Sequence, residues 1–166
     1  MMITLTGFMG GGKTTVGRLL ADALGCPFMD LDDLIVKKAG KSIPDIFAQD
    51  GEPAFRQLEA QVLRKTVEKN AESTAVLALG GGAVLAPASA ALLHEKTVCI
   101  YLRATIDTLL ARLAGETAGR PLADDDAMAS RLAEREPIYE KTAHVIIDTD
   151  GLSPDEVTDE IIISAL

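Results

Sequence analysis

Five short apolar runs recur along the chain, and stretches with apolar residues at helical spacing separate them. Residues 75–79 are apolar at every position, which is typical of a strand buried on both faces of a parallel sheet. The runs predict strands at residues 3–6, 27–30, 75–79, 97–102 and 144–148. Because strands that alternate with helices form a parallel sheet covered on both faces, we expect one three-layer α/β/α domain with a five-stranded parallel sheet over residues 1–166.

Periodicity and terminus signals predict the helices between these strands. Ser42 and Ser153 are each followed within two residues by proline, and both are N-cap candidates. Polar residues with interspersed glycines predict a mobile loop at residues 115–126. The predicted helices are residues 15–24, 31–39, 43–49, 52–70, 87–93, 106–113 and 127–139, with a last helix that begins after Ser153.

Composition narrows the possible partners and the compartment. The net charge is −9, and no basic stripe interleaves with aromatic residues, which argues against a nucleic-acid partner. No apolar run approaches the roughly 18 residues that a membrane span needs, and we expect no leader because the P-loop begins at Gly7. Cys26 and Cys99 lie outside any metal-ligand spacing and are expected to be buried thiols in a reducing compartment. We therefore expect a cytoplasmic protein without a membrane partner.

Residues 7–14 read Gly-Phe-Met-Gly-Gly-Gly-Lys-Thr and fit the phosphate-binding P-loop pattern. Glycines let backbone N–H groups curl around an anion, and we expect this of Gly10, Gly11 and Gly12. Lys13 would reach the β- and γ-phosphates, and the Thr14 hydroxyl would hold Mg²⁺. Thr15 is expected to contact ATP as well, at the start of a helix that would direct its positive end at the phosphates. A glycine-rich turn with a chance lysine is the alternative, but strand, motif and helix together predict a nucleoside triphosphate site.

The P-loop alone leaves the class of protein open. The guanine-specific Asn-Lys-x-Asp motif is absent from the sequence, which argues against a switch GTPase. The third predicted strand ends in glycines, so an acid that serves Mg²⁺ must come from another strand. Asp30 and Asp148 each end a strand, and we favour Asp30 because Asp32 follows two residues later. An acidic helix N-terminus is the alternative interpretation of this pair.

Six segments together resemble the shikimate kinase family, in the family's order and spacing and over essentially the whole chain. They are the P-loop, Asp30-Leu31-Asp32, Gly51-Glu52-Pro53-Ala54-Phe55-Arg56, Gly80-Gly81-Gly82, Arg120-Pro121-Leu122 and Arg135-Glu136-Pro137-Ile138-Tyr139. The resemblance implies a nucleoside-monophosphate-kinase-like P-loop fold, with a substrate-binding region at about 31–60 and a lid at about 114–126. It also implies transfer of the ATP γ-phosphoryl group to the 3-hydroxyl of shikimate, on the route to aromatic amino acids.

The resemblance also implies roles for individual residues. The expected shikimate contacts are Asp32, Arg56, Gly80, Gly81 and Arg135. Arg120 would be the lid arginine that reaches ATP, and Arg112 would lie near adenine. Asp30 would assist Mg²⁺ through water. The expected catalytic residues are Lys13, Asp32 and Arg120.

Physical chemistry agrees with these roles. A guanidinium recognises a carboxylate through two parallel hydrogen bonds, which suits Arg56 and Arg135. Asp32 could orient the acceptor hydroxyl and take its proton, and Gly81 would let the backbone approach the ring. Each arginine also has a structural alternative. Arg56 could pair with Glu52 or Glu59 and Arg135 with Glu136, and Arg112 could be a surface residue.

The sequence departs from the family pattern at Leu31, Gly11 and Leu152, the last of which leaves adenine recognition open. Tyr139 is expected to serve helix packing only. The resulting hypothesis is a monomeric, Mg²⁺-dependent shikimate kinase. Its rivals are a kinase for a sugar acid or a nucleotide, and a regulator that binds nucleotide without catalysis. A regulator would not need the set Lys13, Thr14, Asp32 and Arg120.

Overall fold

A computed structural model describes residues 1–116 and 125–166 of the chain, and its five strands form one parallel sheet. The strands are β1 (Met2–Thr6), β2 (Phe28–Asp30), β3 (Ala75–Ala78), β4 (Val98–Arg103) and β5 (Val145–Asp148). Their order across the sheet is β2-β3-β1-β4-β5. The predicted fold class and all five strands are confirmed, with ends that shift by one residue.

Helices connect the strands at every crossover. They are α1 (Lys13–Leu24), α2 (Leu31–Ala39), α3 (Ile43–Asp50), α4 (Glu52–Lys69), α5 (Pro87–Lys96), α6 (Ile106–Glu116), α7 (Asp125–Thr142) and α8 (Pro154–Ala165). Several predicted helices were too short. α1 begins two residues earlier, after left-handed Gly12, and α7 also begins two residues earlier. α5, α6 and α7 each end three residues later than predicted. α7 continues past Pro137 because Tyr139 and Thr142 are buried beyond it.

The predicted loop at 115–126 is only partly described. Residues 115 and 116 end α6, and residues 125 and 126 begin α7, so the loop prediction was wrong at these four positions. The remaining eight residues, 117–124, lie outside the described residues. The assignment of residues 114–126 as a lid therefore stays a prediction.

Both predicted serine caps are present. The Ser42 Oγ accepts a hydrogen bond from the Asp45 N–H at 3.3 Å. The Ser153 Oγ accepts from the Glu156 N–H at 3.1 Å, and the Glu156 carboxylate accepts from the Ser153 N–H at 3.0 Å. These bonds satisfy N–H groups that the first helical turn leaves unpaired, which explains why the helices begin where serine and proline predicted.

Two apolar layers sandwich the sheet. On one face, Leu20 of α1 and Ile161 of α8 pack with Leu5 of β1. On the other face, Leu63 of α4 packs in a cluster with Leu77 of β3. Both clusters are mainly aliphatic, and burying each such side chain contributes about 1.5–3 kcal/mol. Cys99 is buried as expected, whereas Cys26 is only partly buried, which corrects the expectation for that residue.

The strand order brings separate stretches to one edge of the sheet. β1 pairs with β3 on one side and β4 on the other, so the chain reverses its direction of winding beside the P-loop. In an open parallel sheet, ligands bind at the carboxyl ends of strands near such a switch point. The P-loop follows β1, Asp30 ends β2 and Gly80 follows β3. Within the described parts of the chain, every helix is too short or too polar to span a bilayer.

Candidate active site

The P-loop forms a concave turn between β1 and α1. Gly10 and Gly12 have φ angles of +80° and +85°, which a residue with a Cβ adopts only under strain. A Cβ on Gly11 would lie 2.9 Å from the Phe8 carbonyl oxygen, so this position also excludes a side chain. The turn encloses a recess of about 160 Å³ lined by Gly10, Gly11, Gly12, Lys13, Thr14 and Thr15. The structure thus brings together all six P-loop residues predicted to contact ATP.

Lys13 stands inside this turn. Its Nζ donates to the carbonyl oxygens of Gly7 and Phe8 at 2.7 and 3.0 Å, which holds the ammonium at the phosphate recess. Burial lowers the Lys13 pKa to about 8, and the nearby carboxylates of Asp32 and Asp30 partly oppose that shift. A bound triphosphate would favour the charged form further, because its negative charge would lie against the ammonium.

Thr14 and Asp30 meet at the side of the recess. The Thr14 hydroxyl donates to Asp30 Oδ2 at 3.0 Å, and Asp30 Oδ1 accepts from the Asp32 N–H at 2.9 Å as the N-cap of α2. Asp148 instead makes a bidentate ion pair with Arg103, with distances of 2.6 and 3.0 Å. Of the two strand-end acids, Asp30 is therefore the one at the P-loop.

The Thr14 and Asp30 oxygens suit Mg²⁺, which prefers hard oxygen ligands and usually keeps water and phosphate oxygens in its shell. Among the described residues, no group of three or more His, Cys, Asp or Glu side chains could hold a metal by itself. The residues that would hold Mg²⁺ here are Thr14 and Asp30.

A second cavity, of about 520 Å³, opens beside the P-loop. It contains all five residues predicted to contact the acceptor, namely Asp32, Arg56, Gly80, Gly81 and Arg135. The rest of its lining consists of Met9, Ile43, Phe47, Glu52, Phe55, Glu59, Gly82 and Arg131. Side chains from α2, α3, α4 and α7 thus converge on the glycine turn that follows β3.

Arg56 is held in this cavity by Glu59 and Glu52, the two residues that the sequence analysis gave as its alternative ion-pair partners. Its Nη1 donates to Glu59 Oε1 at 2.9 Å, and its Nε lies 3.6 Å from Glu52 Oε1. A Cβ on Gly82 would lie 2.4 Å from the same Nη1. Arg56 makes both pairings and still lines the cavity, so the two interpretations are compatible.

Glu59 and Gly82 are functional candidates that the sequence did not single out. Glu59 is 4% exposed, and burial raises the pKa of its carboxyl group while the hydrogen bond from Arg56 opposes the shift. In the sequence, Glu59 stands out only as an acidic residue one turn after Arg56, and Gly82 only as the third of three consecutive glycines. Neither pattern predicts a role in the site, because the contact between α4 and the turn after β3 is visible only in the fold.

Asp32 lies in the first turn of α2 and faces the glycine turn. A Cβ on Gly80 would lie 3.2 Å from Asp32 Oδ1 and 3.4 Å from Glu59 Oε2. Burial raises the Asp32 pKa, and the Asp30 charge raises it further, whereas Lys13 and Arg56 oppose the shift. A partly buried carboxylate with a raised pKa is suited to accept a proton from a substrate hydroxyl.

Arg135 enters the cavity from α7. Its guanidinium carbon lies 5.9 Å from the centre of the Phe8 ring, and its Nη1 would lie 3.5 Å from a Cβ on Gly81. Tyr139, one turn later, is fully buried, and its hydroxyl donates to the Gly81 carbonyl oxygen. The expectation that Tyr139 serves packing alone missed this polar contact.

The family model described as "Shikimate kinase" matches residues 9–165 of the chain. The chain belongs to the shikimate kinase family. It is an ATP-dependent kinase that phosphorylates shikimate in the pathway of aromatic biosynthesis, as the sequence analysis predicted.

Individual relatives agree over nearly the full length of the chain. It is 44% identical to a shikimate kinase of Enterococcus faecalis, over 96% of this chain and 95% of that protein. The fold matches a shikimate kinase of Acinetobacter baumannii in complex with shikimate, with a TM-score of 0.84, 34% identity and coverage of 97% and 90%. A shikimate kinase of Bacteroides thetaiotaomicron gives a TM-score of 0.86, 30% identity and coverage of 99% and 98%.

The other two predicted ATP contacts of this kinase are Arg112 and Arg120. Arg120 lies outside the described residues. Arg112, on α6, donates to the Gly10 carbonyl oxygen at 3.3 Å and to the Thr149 carbonyl oxygen at 3.1 Å. It therefore joins the P-loop to the segment after β5, and its contact with adenine stays a prediction.

Proposed function

We propose that the chain transfers the γ-phosphoryl group of ATP to the 3-hydroxyl of shikimate, with the acceptor held in the 520 Å³ cavity. The observation that carries this proposal is that Asp32, Arg56 and Arg135 line one cavity although they come from three helices. The two guanidinium groups suit the carboxylate of the ring, and Asp32 suits a hydroxyl. Phe55 and Ile43 give the cavity apolar wall for the ring itself.

The P-loop would hold the donor. Backbone N–H groups of Gly10, Gly11 and Gly12, with Lys13, Thr14 and Thr15, would contact the β- and γ-phosphates. Thr14 would bind Mg²⁺ directly and Asp30 through water. The Thr14 hydroxyl oxygen and Asp30 Oδ2 lie 3.0 Å apart, so both could serve one ion. When bound, the metal would neutralise charge on the two terminal phosphates.

The transfer itself needs positioning and charge stabilisation rather than a covalent intermediate on the protein. The 3-hydroxyl oxygen forms a bond to the γ-phosphorus while the bond from that phosphorus to the β,γ-bridging oxygen breaks. The hydroxyl proton passes to Asp32, and ADP leaves. Lys13 would stabilise the charge that develops on the transferred group, and Arg120 would do so from a lid at about 114–126.

The proposal also covers the domain division, the oligomeric state, the location and the partners of the protein. We assign residues 1–166 to one domain, with residues 31–60 as the substrate-binding region. We further propose a monomer in the cytoplasm without a nucleic-acid partner. Support comes from the net charge of −9 and from the arginines at the acceptor cavity, since a nucleic acid would need an exposed basic surface.

A coupled assay of ADP release tests the proposal. Shikimate, gluconate and nucleoside monophosphates are compared as acceptors, with MgCl₂ and with EDTA, and the product is located by phosphorus NMR. We expect turnover with shikimate and MgCl₂ only, with the phosphate on the 3-oxygen. Absence of turnover with shikimate would refute the assignment, and transfer to another oxygen would refute the orientation. Size-exclusion chromatography with light scattering checks the monomer.

A further inference from the structure

Tyr139 makes a contact at the edge of the acceptor cavity that helix packing does not require. Its ring lies 5.0 Å from the Tyr101 ring, centre to centre, in a buried aromatic pair. Its hydroxyl reaches out of that pair and donates to the Gly81 carbonyl oxygen. The two residues are 58 positions apart in the chain, so this bond joins α7 to the turn after β3.

The turn that Tyr139 contacts begins beyond the last residue of β3 and contains Gly80 and Gly81. Its backbone hydrogen bonds include those from the Ala83 N–H to the Gly80 oxygen and from the Leu85 N–H to the Gly82 oxygen, both 3.1 Å. These bonds use the carbonyl groups on either side of Gly81. The bond from Tyr139 adds a constraint on the Gly81 carbonyl itself.

The same helix sends a second side chain to the same glycine. Arg135 precedes Tyr139 by one turn, and its Nη1 would lie 3.5 Å from a Cβ on Gly81. The Tyr139 hydroxyl oxygen would lie 3.7 Å from that position. The predicted carboxylate-binding side chain therefore lies directly beside the turn backbone to which Tyr139 donates its hydrogen bond.

The Tyr139 hydroxyl remains a donor over the working range of the enzyme. Burial raises its pKa, and the neighbouring Arg135 charge opposes that shift. A protonated hydroxyl donates to the carbonyl and leaves its oxygen lone pairs facing the Arg135 side. Removing the hydroxyl would leave the Gly81 carbonyl without this donor at a partly buried position, where the loss of a hydrogen bond costs free energy.

We infer that Tyr139 is a positioning residue for the acceptor: its hydroxyl fixes the Gly81 backbone and the spacing between that backbone and Arg135. The inference rests on the proposed placement of the acceptor in this cavity. If only the ring of Tyr139 contributed to acceptor binding, removal of its hydroxyl would leave the shikimate KM unchanged. If the hydroxyl positions the turn, its loss weakens acceptor binding and spares ATP, whose phosphate recess is lined by residues 10–15 and not by this turn.

The test compares Tyr139→Phe with Tyr101→Phe in the full-length enzyme. Each variant removes one hydroxyl from the same buried ring pair, but only Tyr139 contacts the glycine turn. For Tyr139→Phe we expect the KM for shikimate and its Kd by calorimetry to rise about 5- to 10-fold, with the KM for ATP within about 2-fold of wild type. For Tyr101→Phe we expect neither constant to change.

An unchanged shikimate KM in Tyr139→Phe, or an equal rise in both KM values, would overturn the inference. A rise of the same size in Tyr101→Phe would do so as well, because it would indicate loosened packing. If wild type itself does not use shikimate, the proposed function fails instead.

Should Tyr139→Phe prove insoluble, 4-fluorophenylalanine at position 139 fills the space of the hydroxyl but cannot donate a hydrogen bond. The shikimate KM must then rise in that variant, with the ATP KM within about 2-fold of wild type. An unchanged shikimate KM would overturn the inference.

Discussion

Arg56 Nη1 lies 2.9 Å from Glu59 Oε1, and Glu59 is nearly inaccessible to water. A surface pair of this spacing would contribute only about 0.3–0.5 kcal/mol and would leave the arginine mobile. Here the buried carboxylate fixes the guanidinium at the wall of the acceptor cavity. The absent side chain of Gly82 makes the room for it, because a Cβ there would overlap the guanidinium.

Gly82→Ala should therefore impair acceptor binding. The added Cβ would lie 2.4–2.7 Å from three guanidinium atoms of Arg56, so the arginine must move. We expect the shikimate KM to rise about 10-fold or more, since a displacement near 1 Å at a binding group can cost that much. The ATP KM should stay near wild type. Steady-state kinetics with each substrate varied in turn measures both.

The same substitution in an Arg56→Ala background is the control for this prediction. The three atoms nearest to a Cβ on Gly82 all belong to the Arg56 guanidinium, so the clash is absent when Arg56 is alanine. An equal rise in the shikimate KM from Gly82→Ala in both backgrounds would contradict the steric argument.

Asp32→Asn should abolish transfer while the protein still binds ATP. The amide cannot take the hydroxyl proton, and general bases contribute about 10²–10⁴-fold to such rates. Asp33→Asn is a matched control, because Asp33 is the next residue in the same helical turn and is exposed. We expect kcat to fall by that range in Asp32→Asn and to stay near wild type in Asp33→Asn, with ATP Kd unchanged in both by calorimetry. Turnover near wild type in Asp32→Asn would exclude the base role.

The same substitution should stabilise the fold at neutral pH. Burial raises the Asp32 pKa above its usual value of 3.8, so the folded state binds its proton more tightly than the unfolded state does. This contribution is fully present below pH 3.8 and is lost as pH rises through the folded-state pKa. At pH 7 the ionised Asp32 therefore costs stability, and Asp32→Asn removes that cost.

We expect the melting temperature of Asp32→Asn to exceed that of wild type by about 1–4 °C at pH 7, and the difference to shrink toward pH 4. Calorimetric melts of both proteins across this range measure it. A constant difference at all pH values would mean that ionisation of Asp32 is not its source.

ATP use should weaken as pH rises through about 8. Burial holds the Lys13 pKa near 8 in the free enzyme, and above that pH the neutral amine attracts phosphate less. The expected result is a decline in kcat/KM for ATP with a midpoint near pH 8, while kcat at saturating ATP declines at higher pH because bound phosphates favour the ammonium form. Superimposable profiles for kcat and kcat/KM would argue against Lys13 as the titrating group.

The sequence by itself determined the features that depend on neighbouring residues. Apolar runs predicted all five strands, because the inner strands of a sheet that is covered on both faces consist mainly of apolar residues. The P-loop was recognisable because its glycines, Lys13 and Thr14 act through a single continuous turn. Ser42 and Ser153 predicted their helix starts because a cap bonds to backbone only three residues away.

Tertiary structure alone decided which distant groups meet. The order of the strands brought Asp30 to Thr14, while Asp148 came to pair with Arg103 instead. Pairs such as Arg56 with Gly82 and Tyr139 with Gly81 join segments that are far apart in the chain. Their signals in the sequence are single residues with no local pattern, because contact between such residues depends on how helices pack against the sheet. The acceptor cavity is built from contacts of this kind.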